Sequence, residues 1–188
     1  DLAVIKDSGT VDADALAGAP DWPAFRARLS ERLQASDGQI ETQMDILRRE
    51  HHAETFRILL QDLQGMLTVE QVADRLSDLA DAMLDVTLQA VWRQLPTRHC
   101  DTPRFAVIAY GRLGGKELGY ASDLDLIFLY DDDDHERAPD VYAAYARRLI
   151  TWLTSHTAAG MLFDVDTRLR PNGAAGLLVT SFDAFRRY

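Results

Sequence analysis

Apolar positions recur at helical spacing through the first half of the chain; beyond about residue 97 they gather into short runs that suit strands. Phe25, Leu29 and Leu33 step by four behind Trp22-Pro23, which predicts a helix opening there, since proline suits a first turn. A second helix is predicted over about 40–64, its clearest stripe Phe56, Leu59, Leu60 and Leu63, with Gly65 as a natural stop. Thr68 and Gln71 have capping-box spacing for a third. Behind them Val72, Leu76, Leu79, Met83, Val86 and Ala90 form a long seam that Pro96 ends. Stripes at this spacing are normally core, so the helices read as a packing bundle rather than as a partner surface. Residues 1–20 show no period, are rich in small and turn residues, and read as a poorly ordered lead-in.

Residues 97–103 read as a linker, and 105–111 as a strand buried on both faces. A glycine turn and a polar loop follow, then a second strand carrying Asp123 and Asp125, with Leu124, Leu126 and Phe128 toward the core. Asp131 to Asp134 with His135 lack the alternating ligands and the glycine of a calcium loop and read as solvated. A helix is predicted over about 139–155, with Val141, Tyr145, Leu149 and Trp152 on one side. Residues 161–170 alternate and read as a third strand. One face carries Met161, Phe163, Val165, Thr167 and Leu169, the other Leu162, Asp164, Asp166, Arg168 and Arg170. Pro171-Asn172-Gly173 is a turn signal, and 174–180 reads as another short strand. The fold class is α+β: a helical lobe over 21–96, then a core with a small mixed sheet over 97–188 that stops at the chain end.

Composition narrows the function. Of 188 residues, 47% are hydrophobic and 27% charged, which is globular, and the net charge is −10. An acidic chain lacks the basic stripes that nucleic-acid binding needs, so no nucleic acid is expected, although a nucleotide is compatible if a divalent ion offsets its charge. No apolar run reaches the ~20 residues of a membrane span, and no signal peptide opens the chain. The single cysteine, Cys100, cannot form an internal disulfide, which suits the cytoplasm. An opening at Asp1 without methionine is what a piece of a longer protein would show.

The chemistry gathers at Asp123 and Asp125. Two carboxylates ~6.5–7 Å apart along a strand face the same side and repel unless a cation sits between them, which points to a metal site. The preceding glycines fit neither established phosphate loop. Gly115-Lys116 is followed by Glu117, so the Walker pattern fails, and Gly111, Gly114 and Gly115 are wrongly spaced for the dinucleotide fingerprint. Gly114-Gly115 still offers backbone that phosphate oxygens can approach. An acid on the third strand, Asp164 or Asp166, would complete a set able to hold one or two Mg²⁺ ions, while Arg168 and Arg170 meet phosphate or balance the acids. Phosphoryl or nucleotidyl transfer uses such parts. His51 and His52 are adjacent, point to different sides of a helix and lack zinc-site spacing.

The glycine turn, the Asp-hydrophobic-Asp pair and the later carboxylate resemble the DNA polymerase β-like nucleotidyltransferase superfamily. More closely, YGRLGGKELGYASDLDLIFLY with VDTRLRPNGAAGLLVTS resembles the glutamine synthetase adenylyltransferase family over most of residues 45–188. Those are large proteins with two similar halves: one attaches AMP to a tyrosine of glutamine synthetase, and the other removes it by phosphorolysis, giving ADP. The wording of both motifs is nearer the carboxy-terminal, adenylylating half. The resemblance implies a nucleotidyltransferase fold, ATP as substrate and Mg²⁺ as cofactor, with Mn²⁺ as a possible substitute. Asp123, Asp125 and Asp166 would be metal ligands, and Asp166 would also activate the target hydroxyl. Gly114 and Gly115 would cradle the triphosphate. Ser122 would add a hydroxyl contact or serve the strand-entry turn, and Arg168 and Arg170 would contact phosphate or pair with an acid. Glutamine synthetase would be the protein substrate, and a PII signalling protein would act through the full-length protein. A catalytically silent docking module of the same fold is the alternative from another class.

Overall fold

The computed structural model describes Leu16, residues 18–132 and residues 136–187. Most of the expected lead-in, and Asp133, Asp134 and His135, therefore lie outside the described residues; Leu16 and the turn at 18–20 are inside, and Leu16 is buried. The described residues form six α-helices and a four-stranded mixed sheet.

Three helices come first. In α1 (Trp22–Ala35) the Asp21 carboxylate caps the N-terminus by accepting from the Ala24 amide at 2.9 Å, and Phe25, Leu29 and Leu33 are buried. In α3 (Val69–Arg93) both capping-box bonds form, Thr68 N–H to Gln71 Oε1 at 2.9 Å and Gln71 N–H to Thr68 Oγ1 at 3.3 Å, and the predicted seam is buried throughout. Between them, α2 (Ile40–Leu63) departs from expectation. Phe56, Leu59 and Leu60 are only half-buried and Leu63 is 71% exposed. Its covered face is carried by Met44, Leu47 and Ile58 with Gln43, Arg48 and Gln61. These polar side chains can be buried because each reaches backbone carbonyls: Gln43 that of Leu33, Gln61 that of Leu16. Arg48 donates to four, of Met44, Trp152, Ser155 and Gly160, and so ties the helices to the sheet-bearing half.

The sheet is organised by β2 (Leu124–Tyr130). One edge pairs antiparallel with β1 (Phe105–Ala109), from Phe105↔Tyr130 to Ala109↔Leu126. β3 (Val165–Asp166) pairs parallel with its start, and β4 (Val179–Ser181) parallel with its end. β1 is half-buried along its length rather than buried on both faces, because it is an edge strand paired only with β2. It stops at Ala109, and the short helix α4 (Gly111–Gly114) follows directly. The third strand is two residues long, not ten: Leu162 and Phe163 are both buried, so alternation fails there. The Asp164 and Asp166 carboxylates accept from the backbone amides of Val165 and Arg168, which turns the chain away from the ladder. Instead of a strand over 174–180, a 3₁₀ turn (Gly173–Ala175) precedes β4, entered through Asn172 at φ 62°.

α5 (Ala138–Thr154) covers the sheet with Val141, Tyr145, Leu149 and Trp152 buried, and a short α6 (Phe182–Arg186) follows β4. The Tyr145 hydroxyl donates to Leu88 O at 2.8 Å, and Tyr142 stacks on Trp92 with centroids 5.8 Å apart. One buried cluster thus runs from α1 through α3 and α5 to β2. Asp132, expected in a solvated loop, is only 6% exposed: it accepts from the Tyr142 hydroxyl at 2.8 Å and pairs with His99 Nε2 at 2.6 Å.

Candidate active site

The acids meet where β2 begins. Asp123 is the exposed residue immediately before β2, and Asp125 is its half-buried second residue. Leu124 and Leu126 between and beyond them are fully buried, so the alternation predicted from sequence turns both acids away from the core. The parallel register sets Asp125 beside Asp166 and Leu124 beside Val165. Residues in register on paired strands point to the same face, so Asp166 joins Asp125 rather than lying across the sheet. Asp123, Asp164, Asp166, Thr167 and Arg168 line an open cleft of about 340 Å³ over this spot.

Electrostatics records the convergence. Burial first, then the negative charges of Asp123 and Asp166, push the Asp125 carboxyl above its usual range, with Arg168 opposing. Asp166 goes the other way. Arg168 folds back on it through Nε and Nη2, and the Arg168 backbone amide adds a bond of 2.8 Å, which together hold Asp166 down at about 2. The field of all three acids raises Arg168 in turn, that of Asp166 most. Arg168 thus stands where a cation would be expected. As the side chains are placed, no three acidic, imidazole or thiol groups among the described residues are close enough to hold an ion. The donor set itself, carboxylates at the start of β2 and on β3 whose repulsion Arg168 offsets only at Asp166, fits a hard divalent cation.

The other expected residues divide. The amides of Gly114 and Gly115 already donate to Tyr110 O and Gly111 O at 3.0 Å each, so neither is free to cradle a phosphate as the turn stands. Gly114 has a packing reason instead: a Cβ there would sit 2.5 Å from Ala109 O. Ser122 serves the strand-entry turn, its Oγ accepting from the Gly119 amide at 2.9 Å and from Arg112 Nη1 at 3.3 Å. Arg170 braces its own loop, donating to the Thr167, Ala174 and Gly176 carbonyls and to Thr167 Oγ1. Gly111 belongs to the site although its spacing pointed to no role. A Cβ there would lie 2.1 Å from Asp125 Oδ2, so any larger residue would push this carboxylate aside. Its φ of 54° is a second demand for glycine. Neither requirement is visible before strand and turn are superposed.

The glutamate-ammonia ligase adenylyltransferase family model matches residues 6–188. The chain is 79% identical over 178 residues to the bifunctional glutamine synthetase adenylyltransferase/adenylyl-removing enzyme of Ralstonia nicotianae, covering 95% of this chain and 18% of that protein. The Burkholderia mallei protein of the same name is 69% identical (95% and 19% covered), and that of Neisseria meningitidis serogroup B 54% identical (95% and 20% covered). The chain therefore spans about a fifth of the length of the curated relatives it matches.

Proposed function

The chain belongs to the glutamate-ammonia ligase adenylyltransferase family, and from that premise we propose that this segment carries the adenylylating reaction, transferring AMP from ATP to a tyrosine of glutamine synthetase with release of pyrophosphate. The observation that supports nucleotidyl transfer is the β2–β3 register, which puts Asp125 and Asp166 side by side with Asp123 two residues away, and the wording of the two motifs favours the adenylylating half. Asp123, Asp125 and Asp166 would hold Mg²⁺, or Mn²⁺ in its place, and the ion would supply charge neutralisation for the triphosphate and the leaving pyrophosphate.

The protein's own groups do the rest. Tyrosine ionises near pH ~10, so its hydroxyl needs an acceptor for the proton as it attacks the α-phosphorus. Asp166 is best placed by register, but with Arg168 upon it the carboxylate is too weak a base. Arg168 is 79% exposed and among the described residues is bonded to Asp166, a pairing it can leave to swing toward the incoming phosphates. That exchange strengthens Asp166 as a base and places a planar cation on phosphate in one movement. Gly111 keeps the turn close against Asp125. In the full-length protein, a PII signalling protein would act on this site from outside the segment. No helix among the described residues is long and apolar enough to cross a membrane, and we place the reaction in the cytoplasm, with no nucleic acid involved.

The test uses full-length protein carrying Asp123→Asn and Asp125→Asn. Transfer of label from ATP to unmodified glutamine synthetase is expected to fall at least about a thousandfold, while phosphate-dependent release of ADP from adenylylated glutamine synthetase continues. Loss of release with transfer intact would assign this segment to the removing half. Loss of neither would leave it a docking module.

A further inference from the structure

Only one edge of β1 is paired. One step beyond each end of the β1–β2 register, the Asp131 amide donates to Arg104 O at 3.0 Å and the Tyr110 amide to Asp125 O at 2.9 Å. Backbone groups alternate between the two edges of an antiparallel strand, so Ala106 and Ile108, in step with 104 and 110, turn theirs to β2. Phe105, Val107 and Ala109 turn their N–H and C=O groups the other way, where no strand among the described residues pairs with them. The α4 turn packs against Ala109 O through Gly114, which leaves Phe105 and Val107 as the open rungs. Nothing in the strand discourages a neighbour: all five residues are apolar and half-buried, with no charge or proline among them. A cavity of about 460 Å³ lies beside the first of them, with Leu88, Trp92, Pro103, Phe105 and Tyr145 among its walls.

We propose that an extended segment from the rest of the full-length polypeptide adds to the sheet along β1, pairing with Phe105 and Val107 and setting an apolar side chain in the cavity beside Phe105. The open groups select the conformation. Donors and acceptors that recur at every second residue are all met only by another extended backbone, and a helix laid along the edge would leave them unpaired. The length of the relatives selects the source. This chain spans about a fifth of them, so most of the polypeptide lies outside it. A tethered segment meets the edge at an effective concentration up to about millimolar, whereas a second copy or a separate protein must arrive from dilute solution. Cover from within also removes the hazard of an apolar edge that would otherwise join chains together. β1 runs directly into Gly111, whose turn lies against Asp125, so the added strand would hold the acid site from the side opposite β2. The proposal uses none of the acids and stands apart from the nucleotidyl-transfer reading.

The test uses full-length protein in two measurements. Hydrogen exchange resolved to single amides compares Val107 with its β2-paired neighbours Ala106 and Ile108. The Val107 amide should exchange within about tenfold of both, at every protein concentration and with no partner added. A Val107 amide at least about a hundredfold faster than its neighbours shows an open edge and overturns the proposal. The source is read by photo-crosslinking from the exposed wall of the cavity, using Gln89→p-benzoylphenylalanine in a mixture of unlabelled and nitrogen-15-labelled protein. Crosslinks should reach a peptide outside residues 1–188 that carries the same label. Crosslinks of mixed label identify a second copy, and crosslinks or protection that appear only when glutamine synthetase is added identify that protein; either result overturns the proposal. Same-label crosslinks confined to residues 1–188 show that this segment closes its own edge, which also overturns it.

Discussion

Asp125 and Asp132 flank the same strand, one near the start of β2 and the other just past its end, and each is partly or wholly withdrawn from water. Burial disfavours ionisation at both. At Asp132 the chain answers it: His99 and Tyr142 bond the same carboxylate oxygen, and its pKa ends below the ordinary value despite burial. At Asp125 the chain makes matters worse, adding Asp123 and Asp166, and the pKa rises. A carboxylate satisfied by its own fold contributes to stability and is spent. One left short of positive charge keeps its affinity for something outside the chain, and a catalytic site needs the second kind.

Substitution at the two ends of the strand should separate these roles most widely. Asp132→Ala leaves the Tyr142 hydroxyl and His99 without their acceptor and should lower stability by about 2–3 kcal/mol in urea unfolding. Asp125→Asn removes a repelled charge and should leave stability within about 0.5 kcal/mol of wild type, or raise it. A large loss at Asp125 would dissolve the contrast.

The pH dependence sharpens the same comparison with a smaller effect. In metal-free protein, Asp125 has a folded pKa raised above 3.8, so the folded chain takes up its proton first as pH falls. Its stabilising contribution is fully present below about 3.8 and is lost as pH rises through the folded value. Asp132 is depressed, so its contribution is present above 3.8 and lost as pH falls through its lower folded value. The stability gap between wild type and Asp125→Asn should therefore change between pH 7 and 4, while the gap for Asp132→Asn holds until below pH 4. Parallel curves for the two variants would refute the assignment of opposite shifts.

What could be read from the sequence follows the range of the forces involved. The α1 stripe, the α3 seam and its capping box depend on residues three and four apart, and they were legible. The pair Asp123 and Asp125 was legible for the same reason, through the two-residue period beside buried Leu124 and Leu126. The covered face of α2 was not, since Gln43, Arg48 and Gln61 count as polar until their distant carbonyl partners are in place. β3 was overextended because Asp164 and Asp166 compete for backbone amides that alternation assigns to a ladder. Those two acids fall on the same side of an ideal strand, so period alone could not choose between them. The inter-strand register sets Asp166, and not Asp164, opposite Asp125. Gly111 escaped for a similar reason, since its clash is with a side chain fourteen residues on and its positive φ exists only in the folded turn.

The convergence of Asp123, Asp125 and Asp166 on one divalent cation is tested most directly by Mn²⁺ binding, followed by electron paramagnetic resonance in full-length protein with ATP present. Wild type should bind Mn²⁺ at this segment, and Asp166→Asn should weaken that binding at least about tenfold, as should Asp123→Asn. Equal Mn²⁺ affinity in wild type and in both variants would contradict the account.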